Sequence, residues 1–149
     1  MPSVSNHSFV ADFLKNVLNR GDYFWMGPYE PDHLFFASDF PQPGKFPTLL
    51  PQFRESDYLK NDFLKQFETT LPKVIIFKHQ ASIFMTPAEE FGRFFLDWLD
   101  KKYISVEKIK GISVLRSPSE FDLKTDLYIR GDVQNEILKK LKEKSYLSY

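Results

Sequence analysis

Three histidines, His7, His33 and His79, are the side chains that bear most directly on chemistry in this sequence of 149 residues. They fall on three separate stretches, and no HxxxH or HxH pair presents a metal-binding face. His7 lies in the first seven residues, which read as a flexible terminus. His33 has Glu30 and Asp32 beside it, an oxygen and nitrogen set suited to a divalent ion. Carboxylates at the start of a short helix already have an electrostatic reason to be there, so the solvated reading is preferred and no metal is expected. His79 follows the most strand-like run, with Ser82 three residues on. The carboxyl end of a strand is where α/β proteins place site residues. A Ser–His–acid hydrolase needs its serine on a sharp elbow such as GxSxG, and Gln80-Ala81-Ser82-Ile83-Phe84 has no glycine on either side. His79 therefore reads as an ordinary strand-end polar residue, with a small hydrolase using His79 with Ser82 or a carboxylate as a third and weaker reading.

Composition closes other routes. The chain has no cysteine, which removes thiol nucleophiles, disulfides, Cys-based zinc sites and iron–sulfur ligation. Its 20 basic and 20 acidic side chains balance, against a nucleic-acid partner, which needs an excess of Lys and Arg to neutralise phosphates. Neither a Walker-type phosphate loop nor GxGxxG is present among the six glycines, so no nucleotide or other cofactor is expected. The run Lys139 to Lys144 places four lysines in six positions, which on a helix form the wet face opposite Val133, Ile137 and Leu141. The longest apolar runs are four residues, whereas a membrane span needs roughly 20. The first ten residues lack the basic and apolar regions of a secretory signal.

The elements that must position these residues follow from periodicity. Residues 8–19 read as a helix, with Ser8 as N-cap and Phe9, Phe13, Val17 and Leu18 at helical spacing. Tyr23-Phe24-Trp25-Met26, bounded by Gly27-Pro28, is a buried strand. Six of the ten prolines lie between Pro28 and Pro51, where only short elements fit, such as a helix over 31–37. Ser56 or Asp57 opens a helix striped by Leu59, Phe63, Leu64 and Phe67. Residues 73–78 form the clearest strand. Thr86-Pro87-Ala88-Glu89 reads as an N-cap, a first-position proline and a capping-box acid for a helix to Lys101. Residues 103–108 and 112–116 suit a hairpin around Lys110-Gly111. The second half of 121–130 reads as a strand, and Gly131-Asp132 caps a last helix. Helices alternating with strands predict a layered α/β domain, with a mixed, mostly parallel central sheet of about four or five strands flanked by helices. One soluble domain, 1–149, is expected, with 117–149 as a C-terminal extension on the same core.

The 25 aromatics mostly fall on helix stripes and strands and need no ligand. Tyr29, Phe35, Phe36, Phe40, Phe46 and Phe53 stand apart, in or beside the proline-rich segment, where amphipathic rings would suit a membrane surface or a transmembrane partner.

The segment from Gly21 to Ala37 contains Trp25, Gly27 and Pro31 to Phe36. It is followed by Phe46-Pro47, the helix over 57–70, and Pro72 to Phe77. This order resembles the C-terminal extracytoplasmic domain of polytopic glycosyltransferases of the dolichyl-phosphate-mannose protein mannosyltransferase superfamily (family 39-like). The likeness covers about residues 8–116. Pro28-Tyr29-Glu30 departs from the family, which commonly has an aspartate directly after the turn, and 117–149 has no counterpart.

The resemblance implies a domain cut from a longer polypeptide, inactive alone, on the extracytoplasmic side of a bacterial inner membrane. No catalytic residue carries over, because the family's catalytic acid lies in the membrane part. The implied partners are the transmembrane part of the same polypeptide, the membrane surface, and a polyprenyl-phosphate-linked sugar or its acceptor. Tyr29, Glu30, His33, Lys45 and Arg54 are the candidate acceptor or interface contacts, since such loops usually carry function. The alternative is a standalone soluble α/β binding or protein-interaction module.

Overall fold

The computed structural model describes residues 12–28, 39–43, 48–79, 81–106 and 125–144. In chain order the described elements begin with α1 (residues 12–17) and β1 (Phe24–Gly27). A 3-10 turn (Pro51–Glu55), α2 (Asp57–Thr70) and β2 (Val74–Lys78) follow. The next elements are β3 (Ser82–Ile83), β4 (Thr86–Pro87), α3 (Ala88–Phe91), α4 (Arg93–Lys102) and β5 (Tyr103–Ser105). The chain then forms β6 (Thr125–Arg130), a second 3-10 turn (Gly131–Val133) and α5 (Gln134–Glu143).

The fold is α/β with helices on both faces of a four-stranded mixed sheet in the order β1-β2-β6-β5. Alternate residues of the strands feed two separate cores, as the period of two requires. Phe24, Met26, Val74, Ile76, Leu127 and Ile129 face one core, where α1 supplies Phe13, Leu14 and Val17, and α5 supplies Ile137 and Leu141. Trp25, Ile75, Phe77, Tyr103 and Tyr128 face the other, under Phe63 and Phe67 of α2, Phe91 of α3, and Phe95, Trp98 and Leu99 of α4. Burial on both faces explains the unbroken apolar runs FWM and VIIF.

β1 and β2 pair in parallel, Phe24 opposite Val74 and Gly27 opposite Phe77. β6 is antiparallel to β2 on one side and to β5 on the other. The expectation of a mostly parallel sheet is therefore corrected: only one of the three pairings is parallel. Direction explains the difference. β1, β2 and β5 all run the same way, as alternation with helices suggests, but β6 inserts in reverse between β2 and β5 and replaces a parallel pairing with two antiparallel ones. Hydrophobic periodicity records burial and not the direction in which a strand arrives.

The second core is built from rings. Trp25 meets Phe63, Phe67 and Phe95 edge-on at centroid distances of 5.9, 5.4 and 5.2 Å. Phe95 stacks on Trp98 at 5.8 Å. Each such pair contributes about 0.5–1.5 kcal/mol beyond its buried area. Trp98 also donates its indole N–H to Glu68 Oε1 at 2.6 Å, which together with Lys102 holds that carboxyl below its ordinary range.

Local chemistry fixes the ends of the elements. Ser56 Oγ accepts from Leu59 N at 3.2 Å and caps α2 as its sequence position predicts. The helix ends at Leu71 in the left-handed region, φ 42°, and Arg130 donates to the Leu71 carbonyl. Thr86 does not cap the next helix: Thr86 and Pro87 pair with β3, and Pro87 precedes α3 with no side-chain cap. The expected single helix to Lys101 is divided at Gly92, where a Cβ would stand 2.7 Å from the Ala88 carbonyl oxygen. Asp132 does not cap α5 either. Its carboxylate accepts from Arg130 Nε, and the N-cap position falls to Val133.

Two of the six aromatics set apart by sequence are core residues: Phe40 belongs to the first core and Phe53 to the second. Tyr29, Phe35, Phe36 and Phe46 lie outside the described residues, as do Ser8, the helix over 31–37, the Lys110-Gly111 turn and the strand over 112–116.

Candidate functional site

The parallel pair β1/β2 sets a carboxyl edge, the end of the sheet at which both strands finish. From β1 the chain leaves through Pro28, whose carbonyl accepts from Leu49 N at 2.8 Å. The proline-rich crossover therefore departs from this edge and is tied back to it. From β2 the chain leaves through His79 and turns into the β3–β4 hairpin.

His79 is the polar centre of the edge. Its Nδ1 lies 2.9 Å from Glu89 Oε1 of α3, and its Nε2 lies 3.0 Å from the Tyr128 hydroxyl of β6. The partners assign the ring's protons. In the neutral ring, Nδ1–H donates to the carboxylate and Nε2 accepts from the phenol O–H. The side chain is 13% exposed, and its ring packs edge-on against Phe77 at 5.0 Å. The triple binds β2, α3 and β6 into one unit.

This arrangement is an acid–imidazole–hydroxyl relay in form, with tyrosine where a hydrolase would present serine. Tyr128 is only 4% exposed, so its hydroxyl is a buried terminus and not a nucleophile open to substrate. Ser82 sits on β3, opposite Pro87. The reading of His79 and Ser82 as a hydrolase pair gains nothing from this geometry. No group of three or more His, Asp or Glu residues able to hold a metal occurs among the described residues.

Arg54 is placed by the first 3-10 turn. Its Nη1 lies 2.6 Å from Glu90 Oε1 and its Nε lies 3.2 Å from Glu55 Oε1. Successive carboxylates of α3 thus take up Arg54 and His79, and the bridge joins the end of the crossover to the helix that follows the hairpin. Tyr29, Glu30, His33 and Lys45 lie outside the described residues. Sequence reasoning found His79 but not its partners. Glu89 carried a capping signal instead, and Tyr128 is separated from His79 by 49 positions.

The hairpin is the other feature of the edge. Ser82 pairs with Pro87 and Ile83 with Thr86, leaving Phe84 and Met85 as a two-residue turn. Both have positive φ, 51° and 63°, the combination of a type I′ turn, which normally selects Asn and Gly. Phe84 is 85% and Met85 96% exposed. Below the tip, Ala81 and Ile83 pack against the second core, and Ala88 N donates to the Ala81 carbonyl at 2.9 Å.

Among the described residues, no helix is long and apolar enough to cross a membrane. Comparisons with protein-family models, with curated proteins and with solved structures each find no match.

Proposed function

We propose that this chain is a non-catalytic extracytoplasmic domain of a membrane glycosyltransferase that uses a polyprenyl-phosphate-linked sugar donor, and that it shapes the access of the acceptor. The observation that carries the reading is the β1–crossover–β2 unit. The residues bearing the resemblance, Gly21 to Phe77, include both strands of the parallel pair. The aromatic and proline-rich stretch between them leaves from the carboxyl edge at Pro28, where open α/β sheets place what they bind. In this reading Tyr29, Glu30, His33, Lys45 and Arg54 are contacts to the acceptor or to the membrane part. The test is the coding sequence upstream of Met1. An open reading frame encoding several hydrophobic segments of roughly 20 residues is expected. An in-frame stop codon with a promoter overturns the proposal.

A further inference from the structure

All three large apolar side chains exposed among the described residues, Tyr58, Phe84 and Met85, lie toward one end of the molecule. Phe84 and Met85 form the tip of the hairpin that leaves the carboxyl end of β2. Tyr58 is in the first turn of α2, which ends at Leu71 beside the amino end of β2 and so begins at the opposite, carboxyl edge. The Arg54–Glu90 bridge ties that beginning to α3, directly after the hairpin. α1 packs on the first core and the chain turns back through residues 18–23 to enter β1. The start of α1 is therefore directed to the same edge.

We infer that this edge faces the bilayer, and that the Phe84–Met85 tip inserts into the boundary between lipid headgroups and acyl chains. The inference rests on the reading of the chain as part of a membrane protein. Two properties of the tip select a lipid surface. First, it is too small to hold a diffusing protein. A buried aromatic side chain covers roughly 150–250 Å², so two side chains fall well short of the ~800 Å² per partner that a stable complex uses. A tip of this size is effective only against a surface already kept close by a covalent link. Second, the hairpin Ser82–Pro87 carries no charged residue, so entry into the interface desolvates no ion. The same lack of charge leaves no Lys or Arg to recruit anionic lipid, so insertion is expected into a zwitterionic bilayer. Tyr58 fits the edge of such a contact, since tyrosine favours the headgroup level.

The chain's lack of cysteine gives a clean test. Met85→Cys in the full 149-residue chain takes a single NBD fluorophore, and Asn135→Cys, exposed near the start of α5, takes the control label. Circular dichroism checks that both fold as the parent does. Each labelled chain is tethered by an N-terminal hexahistidine tag to phosphatidylcholine vesicles containing a nickel-chelating lipid. The label at position 85 is expected to shift to the blue and brighten several-fold on tethering. Brominated acyl chains should quench it, because interfacial insertion reaches about 5–10 Å. The label at 135 should keep its aqueous emission. An aqueous spectrum at position 85 on tethered vesicles overturns the inference. So does a blue shift that grows with chain concentration without vesicles, which would make the occupant a second copy. The fluorescence does not depend on the upstream coding sequence, so this inference and the proposed function fail separately.

Discussion

The indole of Trp25 covers Gly27 so closely that a Cβ there would stand 2.1 Å from the ring's Cη2 atom. Two residues apart on β1, they lie on the same face of the strand, and the ring that fills the second core leaves no room for a methyl group at the strand's end. Nothing yields easily, because Trp25 is itself held by Phe63, Phe67 and Phe95. Gly27→Ala is therefore expected to destabilise the chain by about 1–3 kcal/mol, the usual range for overpacking. Urea denaturation read by tryptophan fluorescence measures it, and an unchanged midpoint contradicts the packing described.

The bond between His79 and Tyr128 makes a second prediction. A single neutral hydrogen bond of this kind contributes about 0.5–1.5 kcal/mol. A double-mutant cycle with His79→Ala, Tyr128→Phe and the pair is expected to return a coupling energy of about 1 kcal/mol. Strictly additive effects would mean that the two side chains do not act on each other. His79→Ala alone should also leave Glu89 without its imidazole partner, but that carboxylate is largely solvated, so the added loss is small.

The layers were readable in the sequence because burial on two sides writes itself as unbroken apolar runs, and burial on one side as a helical stripe. Val74 to Phe77, and Phe63 with Phe67, follow from that rule. Three features escaped it for different reasons. β6 inserts between β2 and β5, and the place of a strand in a sheet is decided by long-range pairing. The His79–Glu89–Tyr128 triple joins residues from a strand end, a helix start and a distant strand, which only the register of Ile75 opposite Tyr128 brings together. The hairpin at Phe84 and Met85 carries none of the Gly, Asn or Asp residues that announce a type I′ turn, and its apolar tip imitates a core segment.

Tyr103 gives a pH prediction with a definite sign. Its hydroxyl donates to the Pro72 carbonyl, and burial pushes its ionisation well above the ordinary phenol value, opposed in part by the Arg130 charge. The fold thus favours the neutral phenol. The resulting stability is complete below the unfolded value of about pH 10 and is lost as pH rises from there through the folded value. Tyr103→Phe should lower stability at pH 7 by about 1–2 kcal/mol through the unpaired carbonyl. It should also flatten the alkaline decline by up to about 1.4 kcal/mol per pH unit, the slope of one proton. Urea midpoints between pH 7 and 11 measure both, and parallel alkaline limbs in parent and variant contradict the assignment.

Phe84 and Met85 set stability against exposure. Left-handed backbone costs about 1–2 kcal/mol for an ordinary L residue, whereas Asn tolerates it and Gly adopts it freely. The exposed side chains give nothing back to the fold, so their removal forfeits no packing. Replacing the pair by Phe84→Asn with Met85→Gly relieves the turn. Part of that relief is offset by the greater freedom of glycine in the unfolded chain, about 0.5–1 kcal/mol. A net gain of about 1 kcal/mol is expected, or a rise of about 2–4 °C in Tm for a chain of this length. The same double substitution should abolish the vesicle-induced blue shift of a label placed at Ser82→Cys, exposed on β3 beside the tip. A variant that is more stable and no longer inserts would show that the turn keeps its strained apolar residues for contact and not for folding. A fall in Tm would contradict the strain at 84 and 85.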